Sequence, residues 1–252
     1  YTVDDFNYVN GVYTLKEGVP DIQSNVFTNY PKPAEIQVPA GQSAFPGALK
    51  IKDTHKDGII NEEDVVELGN VMAHHTGGFG FSGNYKNFDF SANFTYQIGG
   101  KVYNASAMCE YTGGKEPGIG KNKRDFIRDC FQLYDVRNGE LVVVTDPTEL
   151  AALNRNATRP VPYYEANTVL SDFIEDASFL RLSNLTIGYS FPKTLLKKAY
   201  IQSARVYVTG GNLFCITGYS GLDPEVSTNG AAGNSGYPTP GLDYGSYPRS
   251  RT

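Results

Sequence analysis

An eleven-residue stretch of strict alternation constrains the fold of this chain more than any other feature. From Phe88 to Ile98 every second residue is apolar, and the residues between them are polar. A period of two is the period of a β-strand. Eleven residues exceed the usual globular strand but match the ~9–11 residues with which a tilted strand crosses a bilayer. The stretch therefore predicts one strand of a membrane-spanning sheet.

The same alternation occurs elsewhere in the chain, at residues 76–85, 185–191 and 204–209. Leu180 and Leu182 fall in the opposite phase, which either a β-bulge near Ser183 and Asn184 or inward packing of the two leucines would explain. Together these stretches predict two membrane β-hairpins. The side chains expected to face lipid are Phe90, Phe94, Tyr96, Leu185, Ile187, Val206 and Val208. Those expected to face the barrel lumen are Ser91, Asn93, Thr95, Thr186 and Thr209.

Short and long connections between the strands alternate along the chain. The turns around residues 85–87 and 192–200 are short, whereas residues 1–75, 99–177 and 217–248 are long and irregular. Outer-membrane barrels have short periplasmic turns, long external loops and uncharged lipid-facing positions. The pattern predicts an all-β fold that is part of a large antiparallel transmembrane β-barrel. Because a soluble β-sandwich also alternates, a secreted β-module stays open as an alternative.

The composition excludes several classes of protein. A net charge of −5 supplies no basic surface for phosphates, so we expect no nucleic-acid partner. No run reaches the ~18 apolar residues that a membrane helix needs, which leaves strands as the means of crossing a membrane. No Ser/His/Asp set or carboxylate pair stands out in the sequence, and the three histidines lie in polar segments. We therefore expect a protein that is not an enzyme.

Residues 53–64 are similar to a calcium-binding loop. Asp53, Asp57 and Asp64 place oxygen donors at positions 1, 5 and 12, and a glycine lies at position 6, where the backbone must turn sharply. Ile59 would add its carbonyl oxygen at position 7. The histidine at position 3 is a poor ligand for a hard cation, and an aspartate at position 12 is shorter than the usual glutamate. The sequence predicts a Ca²⁺ site at these four residues, with a metal-free acidic turn as the alternative.

Four stretches resemble segments of the SusC/RagA family of TonB-dependent outer-membrane transporters. They follow the family's order at plausible spacing and include much of the chain between residues 45 and 226. The four stretches are FPGALKIKDTHKDGIINEEDVVELGN from residue 45, TGGFGFSGNYKNFDFSANFTYQIGGKVYNA from residue 76, DFIEDASFLRLSNLTIGYSFP from residue 172, and RVYVTGGNLFCITGYSGLDPEV from residue 205.

The resemblance implies a barrel of about 22 strands with a plug in its lumen. This chain would be a C-terminal fragment that supplies about the last four to five strands. The family's activity would be uptake of oligosaccharides or peptides across the Gram-negative outer membrane, beneath a SusD-like surface lipoprotein. The TonB complex would drive uptake through the plug, which is not in these residues. A secreted calcium-stabilised β-module that binds carbohydrate is the alternative function.

This interpretation divides the chain into loops and hairpins. Tyrosines in external loops can stack on sugar rings or pack against peptide side chains. The candidates for substrate contact are Tyr103, Tyr163, Tyr164 and Tyr219. The expected boundaries are an extracellular loop region at 1–75 with the calcium loop at 53–64, a transmembrane hairpin at 76–98, a long extracellular loop at 99–177, a transmembrane hairpin at 178–216, an extracellular loop at 217–248 and the start of the last strand at 249–252.

Overall fold

The computed structural model of the chain describes residues 1–23, 26–29, 32–112, 125–162, 165–166, 169–229, 238–245 and 250. Within this part of the chain, no helix is both long and apolar enough to cross a membrane. The strands are β1 (Phe6–Val9), β2 (Val12–Leu15), β3 (Asp21–Ile22), β4 (Phe27–Asn29), β5 (Ile59–Ile60), β6 (His75–Tyr85), β7 (Phe88–Ile98), β8 (Lys101–Asn104), β9 (Tyr134–Arg137), β10 (Glu140–Val143), β11 (Glu165–Ala166), β12 (Ile174–Asp176), β13 (Phe179–Ser190), β14 (Arg205–Thr217), β15 (Ser227–Asn229), β16 (Pro238–Pro240) and β17 (Leu242–Asp243). The α-helices are α1 (Ala105–Thr112), α2 (Pro147–Leu153) and α3 (Lys193–Leu196). Short 3-10 helices lie at Val3–Asp5, Glu62–Asp64, Asp125–Asp129, Ser171–Phe173 and Lys197–Ala199.

The chain forms two compact units. One comprises Tyr1–Glu67 and Ala107–Leu170, and the other comprises Leu68–Ser106 and Ser171–Thr252. Each unit is therefore assembled from two separate stretches of sequence.

A four-stranded antiparallel sheet in the order β14–β13–β7–β6 forms the framework of the second unit. β6 and β7 pair along their whole length, from His75 opposite Ile98 to Tyr85 opposite Phe88. β13 joins the two hairpins because it pairs with β7 on one side and with β14 on the other. The four strands are 11 to 13 residues long. The two hairpins expected from alternation thus lie side by side in one sheet.

The two faces of this sheet differ in chemistry. Residues opposite each other in an antiparallel ladder share a face, and Phe90 lies opposite Ile187, which lies opposite Val208. These three side chains are 48%, 51% and 72% exposed. All the side chains expected to face lipid lie on this apolar face, and those expected to face the lumen lie on the other. The apolar face is a continuous uncovered surface within this unit.

A β-bulge in the middle of β13 explains the change of phase in its sequence. The register shifts between Leu182 and Asn184 on both sides of the strand. The extra residue, Ser183, lets Leu180 and Leu182 share the apolar face with the side chains that follow the bulge. Of the two explanations offered by the sequence, the structure therefore shows the bulge.

A polar bridge crosses three strands on the other face. Nε of Arg205 on β14 donates a 3.0 Å hydrogen bond to Oδ1 of Asp89 on β7, and its Nη2 also contacts that carboxylate. Gly188 on β13 lies between them, and a Cβ there would stand 2.6 Å from Asp89 Oδ1. Because glycine leaves this space open, the arginine can reach across the middle strand.

Both short turns lie at the same end of the sheet. The amide of Ser190 donates to the carbonyl of Asn87, which links the two turns at 2.8 Å. At the opposite end, the ladder bends at Gly99 and Gly100, both with positive φ, and continues as the pairing of β8 with β12. The long segments therefore leave from one end of the sheet, as the alternation of short and long connections predicts.

The long segments of the first unit fold into a body with a core of its own. Two hairpins, β1–β2 and β9–β10, turn through Asn10-Gly11 and Asn138-Gly139, where all four residues have positive φ. Such pairs favour the two-residue turn whose twist matches the flanking strands. The largest fully buried side chains of the core are Tyr13, Ile36, Phe45, Pro46, Ile60 and Leu150. The described residues of these segments thus contain hairpins and a buried core, where the sequence predicted irregular loops.

Helix α2 in this unit begins with a side-chain cap. Oδ1 of Asp146 accepts hydrogen bonds from the amides of Thr148 and Glu149 at 2.9 and 3.0 Å, and Pro147 takes the first helical position. Proline suits that position because its missing N–H would have no partner in the helix. Leu150 then points into the core and is fully buried.

The cap gives a prediction for local stability. Asp146→Ala removes both hydrogen bonds and should destabilise α2 by about 1 kcal/mol, whereas Asp146→Asn keeps a side-chain acceptor and should cost much less. Hydrogen exchange of the Thr148 and Glu149 amides measures the difference. Equal loss of protection in both variants would contradict the assignment of the cap.

Candidate functional site

The segment that follows β14 folds back onto the polar face of the sheet. Arg181 on β13 lies on that face, because it stands opposite Thr95 in the ladder. Its Nη2 donates a 2.7 Å hydrogen bond to Oδ1 of Asp223, and its Nε lies 3.1 Å from Oε2 of Glu225. Residues 218–226 carry both carboxylates. This segment is therefore bonded to the sheet on the face opposite the apolar surface.

The Arg181 ion pair is almost fully removed from water. The side chains of Arg181 and Asp223 are 5% and 6% exposed, and that of Glu225 is 24% exposed. The guanidinium carbon lies 5.3 Å from the centre of the Phe179 ring, which covers the cation further. A buried charge without a partner is costly, so the two carboxylates and the arginine depend on one another.

A second set of hydrogen bonds holds the start of the same segment. The backbone amide and hydroxyl of Ser220 donate to the two carboxylate oxygens of Glu175 on β12, each at 2.6 Å. Asn104, at the end of β8, donates to the same carboxylate at 2.9 Å. Ser220 in the loop is therefore held by hydrogen bonds that involve β8 and β12, the two strands beyond the bend at Gly99 and Gly100.

Tyr219 anchors the segment from inside. Its ring packs in a buried cluster with Val102, Ala177 and Val226, and its hydroxyl donates a 2.6 Å hydrogen bond to Oδ2 of Asp243. Burial, together with this bond to a carboxylate, raises the pKa of the Tyr219 hydroxyl above its ordinary value. The phenol therefore stays protonated and acts as a fixed donor at physiological pH.

The four tyrosines predicted to contact substrate lie in different environments or outside the described residues. Tyr219 is 6% exposed, with its ring in the buried cluster described above. Tyr103 lies in β8, where its neighbours in the ladder are Ile174 and Leu242. Tyr163 and Tyr164 lie outside the described residues. Substrate contact by these tyrosines stays a prediction.

The acidic loop at residues 53–64 is organised by hydrogen bonds to its own backbone. Asp64 is 8% exposed, and its Oδ1 accepts from the amides of Thr54 and His55 at 2.7 and 3.0 Å. Its Oδ2 accepts from the amide of Asn61 at 3.0 Å. Because these bonds favour the carboxylate, they lower the pKa of Asp64 from 3.8 to about 2.

The other two carboxylates are engaged in the same way. Asp53 accepts from the amides of Lys56 and Gly58, and Asp57 accepts from the amide of Ile59 at 2.9 Å. Within the described part of the chain, no group of three or more His, Cys, Asp or Glu side chains is arranged to hold a metal ion. Calcium binding at Asp53, Asp57, Ile59 and Asp64 stays a prediction.

The polar network around Arg181 was not among the residues singled out from the sequence. A charged residue in the apolar stretch SFLRL, followed by two carboxylates in GLDPEV, is the signal that could have shown it. A charge at that position is exceptional unless a partner neutralises it.

Comparisons with known proteins point to one family. TonB-dependent receptor P3 of Formosa agariphila is 31% identical over 207 residues, which are 82% of this chain and 18% of that protein. TonB-dependent receptor SusC of Bacteroides thetaiotaomicron is 42% identical over 81 residues, which are 32% of this chain and 7% of that receptor. No family model matches the chain.

A solved structure of the RagAB peptide transporter shares the fold, with a TM-score of 0.50 and 26% identity over 72% of this chain and 16% of that one. The chain belongs to the SusC/RagA family of TonB-dependent receptors. It spans less than a fifth of the length of the curated relatives that it matches.

Membership of this family shows which larger structure the four-stranded sheet belongs to. SusC/RagA receptors are outer-membrane β-barrel proteins, and the sheet is a section of such a barrel wall. In a wall of this kind the apolar side chains face lipid and the polar side chains face the lumen. Arg181 and residues 218–226 then lie on the lumen side.

The buried ion pair gives a prediction for the full receptor. Arg181→Met leaves two carboxylates without their cation and should lower stability by about 3–5 kcal/mol, because the Asp223 carboxylate stays buried without it. Arg137→Met is the control, since that arginine is 45% exposed where it meets Glu149, and its loss should change stability little. Thermal unfolding of the receptor and hydrogen exchange of residues 218–226 measure the effects of the two substitutions. A similar small effect of the two substitutions would show that the buried pair does not hold the loop.

The acidic loop gives a second prediction. Asp64 accepts three backbone amides and Asp57 accepts one, so Asp64→Asn should loosen residues 53–64 far more than Asp57→Asn, with or without calcium. Because the pKa of Asp64 is lowered to about 2, its contribution should persist above pH 3.8 and disappear as the pH falls through 2. Hydrogen exchange of the loop in calcium and in chelator tests this. Order that appears only with calcium, and that both variants abolish equally, would establish the metal site instead.

The lipid-facing surface gives a third prediction. Phe94→Arg should cost about 2–4 kcal/mol if it lies near the midplane, because a cation there meets hydrocarbon. Thr95→Arg, one residue along the same strand, faces the lumen and should be much milder. The fraction of receptor folded in the outer membrane, read from heat-modifiable gel mobility, compares the two. Equal damage would contradict the assignment of the faces.

Proposed function

We propose that the complete protein imports oligosaccharides or peptides across the outer membrane, and that this chain contributes wall and loops to the import channel. The observation that carries the proposal is the form of the second unit. Its sheet has one apolar face and one polar face, short turns at one end, and a loop fixed over the polar face by Arg181. A wall with these two faces separates lipid from a water-filled passage.

The orientation of the wall is part of the proposal. Short turns of outer-membrane barrels face the periplasm, and long loops face the outside of the cell. The turns after β6 and β13 would accordingly lie in the periplasm. The long connections at residues 1–75, 99–177 and 217–248 would lie at the cell surface, where loops meet substrate before it enters the barrel.

The lumen-side segment would shape the passage. Residues 218–226 occupy space on the polar face, and their hydrogen bonds to Arg181 and Glu175 restrict their movement. A segment held from several strands keeps its position while substrate passes. We infer that it forms a fixed part of the channel lining rather than a moving gate.

The substrate class rests on the relatives. RagAB is described as a peptide transporter, whereas SusC is described as a TonB-dependent receptor. Aromatic rings and hydroxyls of loop tyrosines suit sugar rings and peptide side chains alike. Peptides and oligosaccharides are therefore both retained as candidate substrates.

Two partners complete the proposal. The resemblance to SusC-like proteins supports a SusD-like surface lipoprotein over the external loops. It also supports energy coupling to the TonB complex through a plug supplied by other residues. We expect no cofactor other than Ca²⁺ at residues 53–64, in keeping with relatives that are named receptors and transporters.

The alternative of a secreted β-module is less well supported. A protein in water would expose Phe79, Phe81, Ile187 and Val208 together on one face, with fractions between 44% and 72%. Apolar patches of this kind on soluble proteins are covered by partners or cause aggregation. In a membrane the same face needs no other cover.

Uptake by living cells tests the proposed function. Cells with and without the gene are given labelled peptides or labelled oligosaccharides, and accumulated label is measured with TonB present or deleted. Import that needs both the gene and TonB supports the proposal, and the class of label that accumulates identifies the substrate. Equal uptake of every label in all strains would overturn it. Phe94→Arg and Thr95→Arg receptors serve as the matched defective and functional variants.

A further inference from the structure

The turn between β13 and β14 has an unusual composition. Residues 192–204 include Lys193, Lys197 and Lys198 and no Asp or Glu, although the whole chain has a net charge of −5. All three lysines are exposed. A cluster of like charges with no acidic residue in the same turn attracts anions from outside the chain.

The same turn exposes apolar side chains beside the lysines. Leu195 is 58% exposed, Ile201 is 47% exposed and Tyr200 is 98% exposed. Tyr200 also has a positive φ of 57°, a conformation that residues other than glycine rarely adopt. Tyr200 takes this conformation where it ends the 3-10 helix Lys197–Ala199, and its ring is presented fully to the surroundings.

The backbone of the turn is well defined. Leu196 is buried and anchors α3, and the amide of Ile201 donates to its carbonyl at 3.2 Å. The amide of Phe191 donates to the carbonyl of Ala204 at 3.0 Å, which closes the turn at its base. The lysines and Tyr200 are therefore displayed on a fixed frame rather than on a loose loop.

This frame continues the apolar face of the wall. The Tyr189 ring lies 4.8 Å from that of Phe88 and 5.2 Å from that of Phe191, and Tyr85 ends the neighbouring strand. Aromatic side chains form girdles where a membrane barrel meets the lipid headgroups. The lysines follow this aromatic cluster directly in sequence, so in a membrane wall they would lie near the lipid phosphates.

We propose that this turn is a binding site for the headgroup of an anionic phospholipid in the periplasmic leaflet. Lys193, Lys197 and Lys198 supply ammonium groups for the phosphate, while Tyr200, Leu195 and Ile201 contact the glycerol and upper acyl region. Long basic side chains can rest on apolar surface and hold their charge at the headgroup level. The site rests on the proposed function only in placing the short turns on the periplasmic side.

Lipid binding to the full receptor tests the site. Purified receptor is titrated with phosphatidylglycerol or phosphatidylcholine, and native mass spectrometry gives the affinity for each. The parent should prefer phosphatidylglycerol, and Lys193→Gln/Lys197→Gln/Lys198→Gln should lose preference on the order of fivefold per lysine. The preference should also weaken at high salt.

Two matched variants control for charge and for folding. Lys16→Gln/Lys52→Gln/Lys56→Gln removes the same charge from exposed lysines of the first unit and should keep the parent's preference. Lys193→Arg/Lys197→Arg/Lys198→Arg keeps the charge and should keep most of the parent's preference for phosphatidylglycerol. Equal affinity of the parent for the two lipids, or equal loss in both glutamine variants, would overturn the site.

The location of the turn is tested separately. Cells that carry the Tyr200→Cys receptor are treated with a membrane-impermeant thiol reagent. The labelling of this receptor is compared with that of the parent protein. Labelling only after the outer membrane is permeabilised supports the periplasmic position. Labelling of intact cells would overturn it. Because neither experiment measures uptake, failure of the lipid site and failure of the import proposal give different results.

Discussion

A strand that crosses hydrocarbon must find a partner for every backbone N–H and C=O, because no water is present to bond with them. The four long strands of this chain meet that demand for one another through a ladder that runs from β6 to β14. β13 is central because it pairs on both sides and carries the bulge that keeps its apolar side chains on one face. The outer edges of β6 and β14 require further strands, as a section of a larger barrel wall does.

The same ladder determines where the polar groups can lie. Alternation sends Asp89, Arg181 and Arg205 to the lumen side, and each charge meets an opposite charge there. The carboxylates that pair with Arg181 belong to residues 218–226, a loop that folds back over the lumen side of the sheet. The position of residues 218–226 therefore depends on the register of β13, because that register places Arg181 where the loop can pair with it. A one-residue slip of that register would send Arg181 toward lipid.

The sequence was informative where a single physical rule dominates. Period-two alternation located the long strands. The opposite phase of Leu180 and Leu182 left a bulge and inward packing as alternatives, and the structure shows the bulge. A proline directly after Asp146 is likewise a simple signal for a helix start, and α2 begins there. It was least informative for the long segments, although Asn10-Gly11 and Asn138-Gly139 are strong hairpin signals that could have been used. The burial of Tyr219 and the contacts of Arg181 could not be predicted, since both depend on residues distant in sequence.

The central claim is that one face of the four-stranded sheet meets lipid and the other meets the lumen. Spin labels placed singly at positions 94, 95, 208 and 209 of the full receptor in a bilayer test it most directly. The account predicts that labels at 94 and 208 collide mainly with oxygen, which concentrates in lipid, and that labels at 95 and 209 collide mainly with a water-soluble nickel complex. Equal contact of all four labels with the nickel complex would contradict a membrane wall.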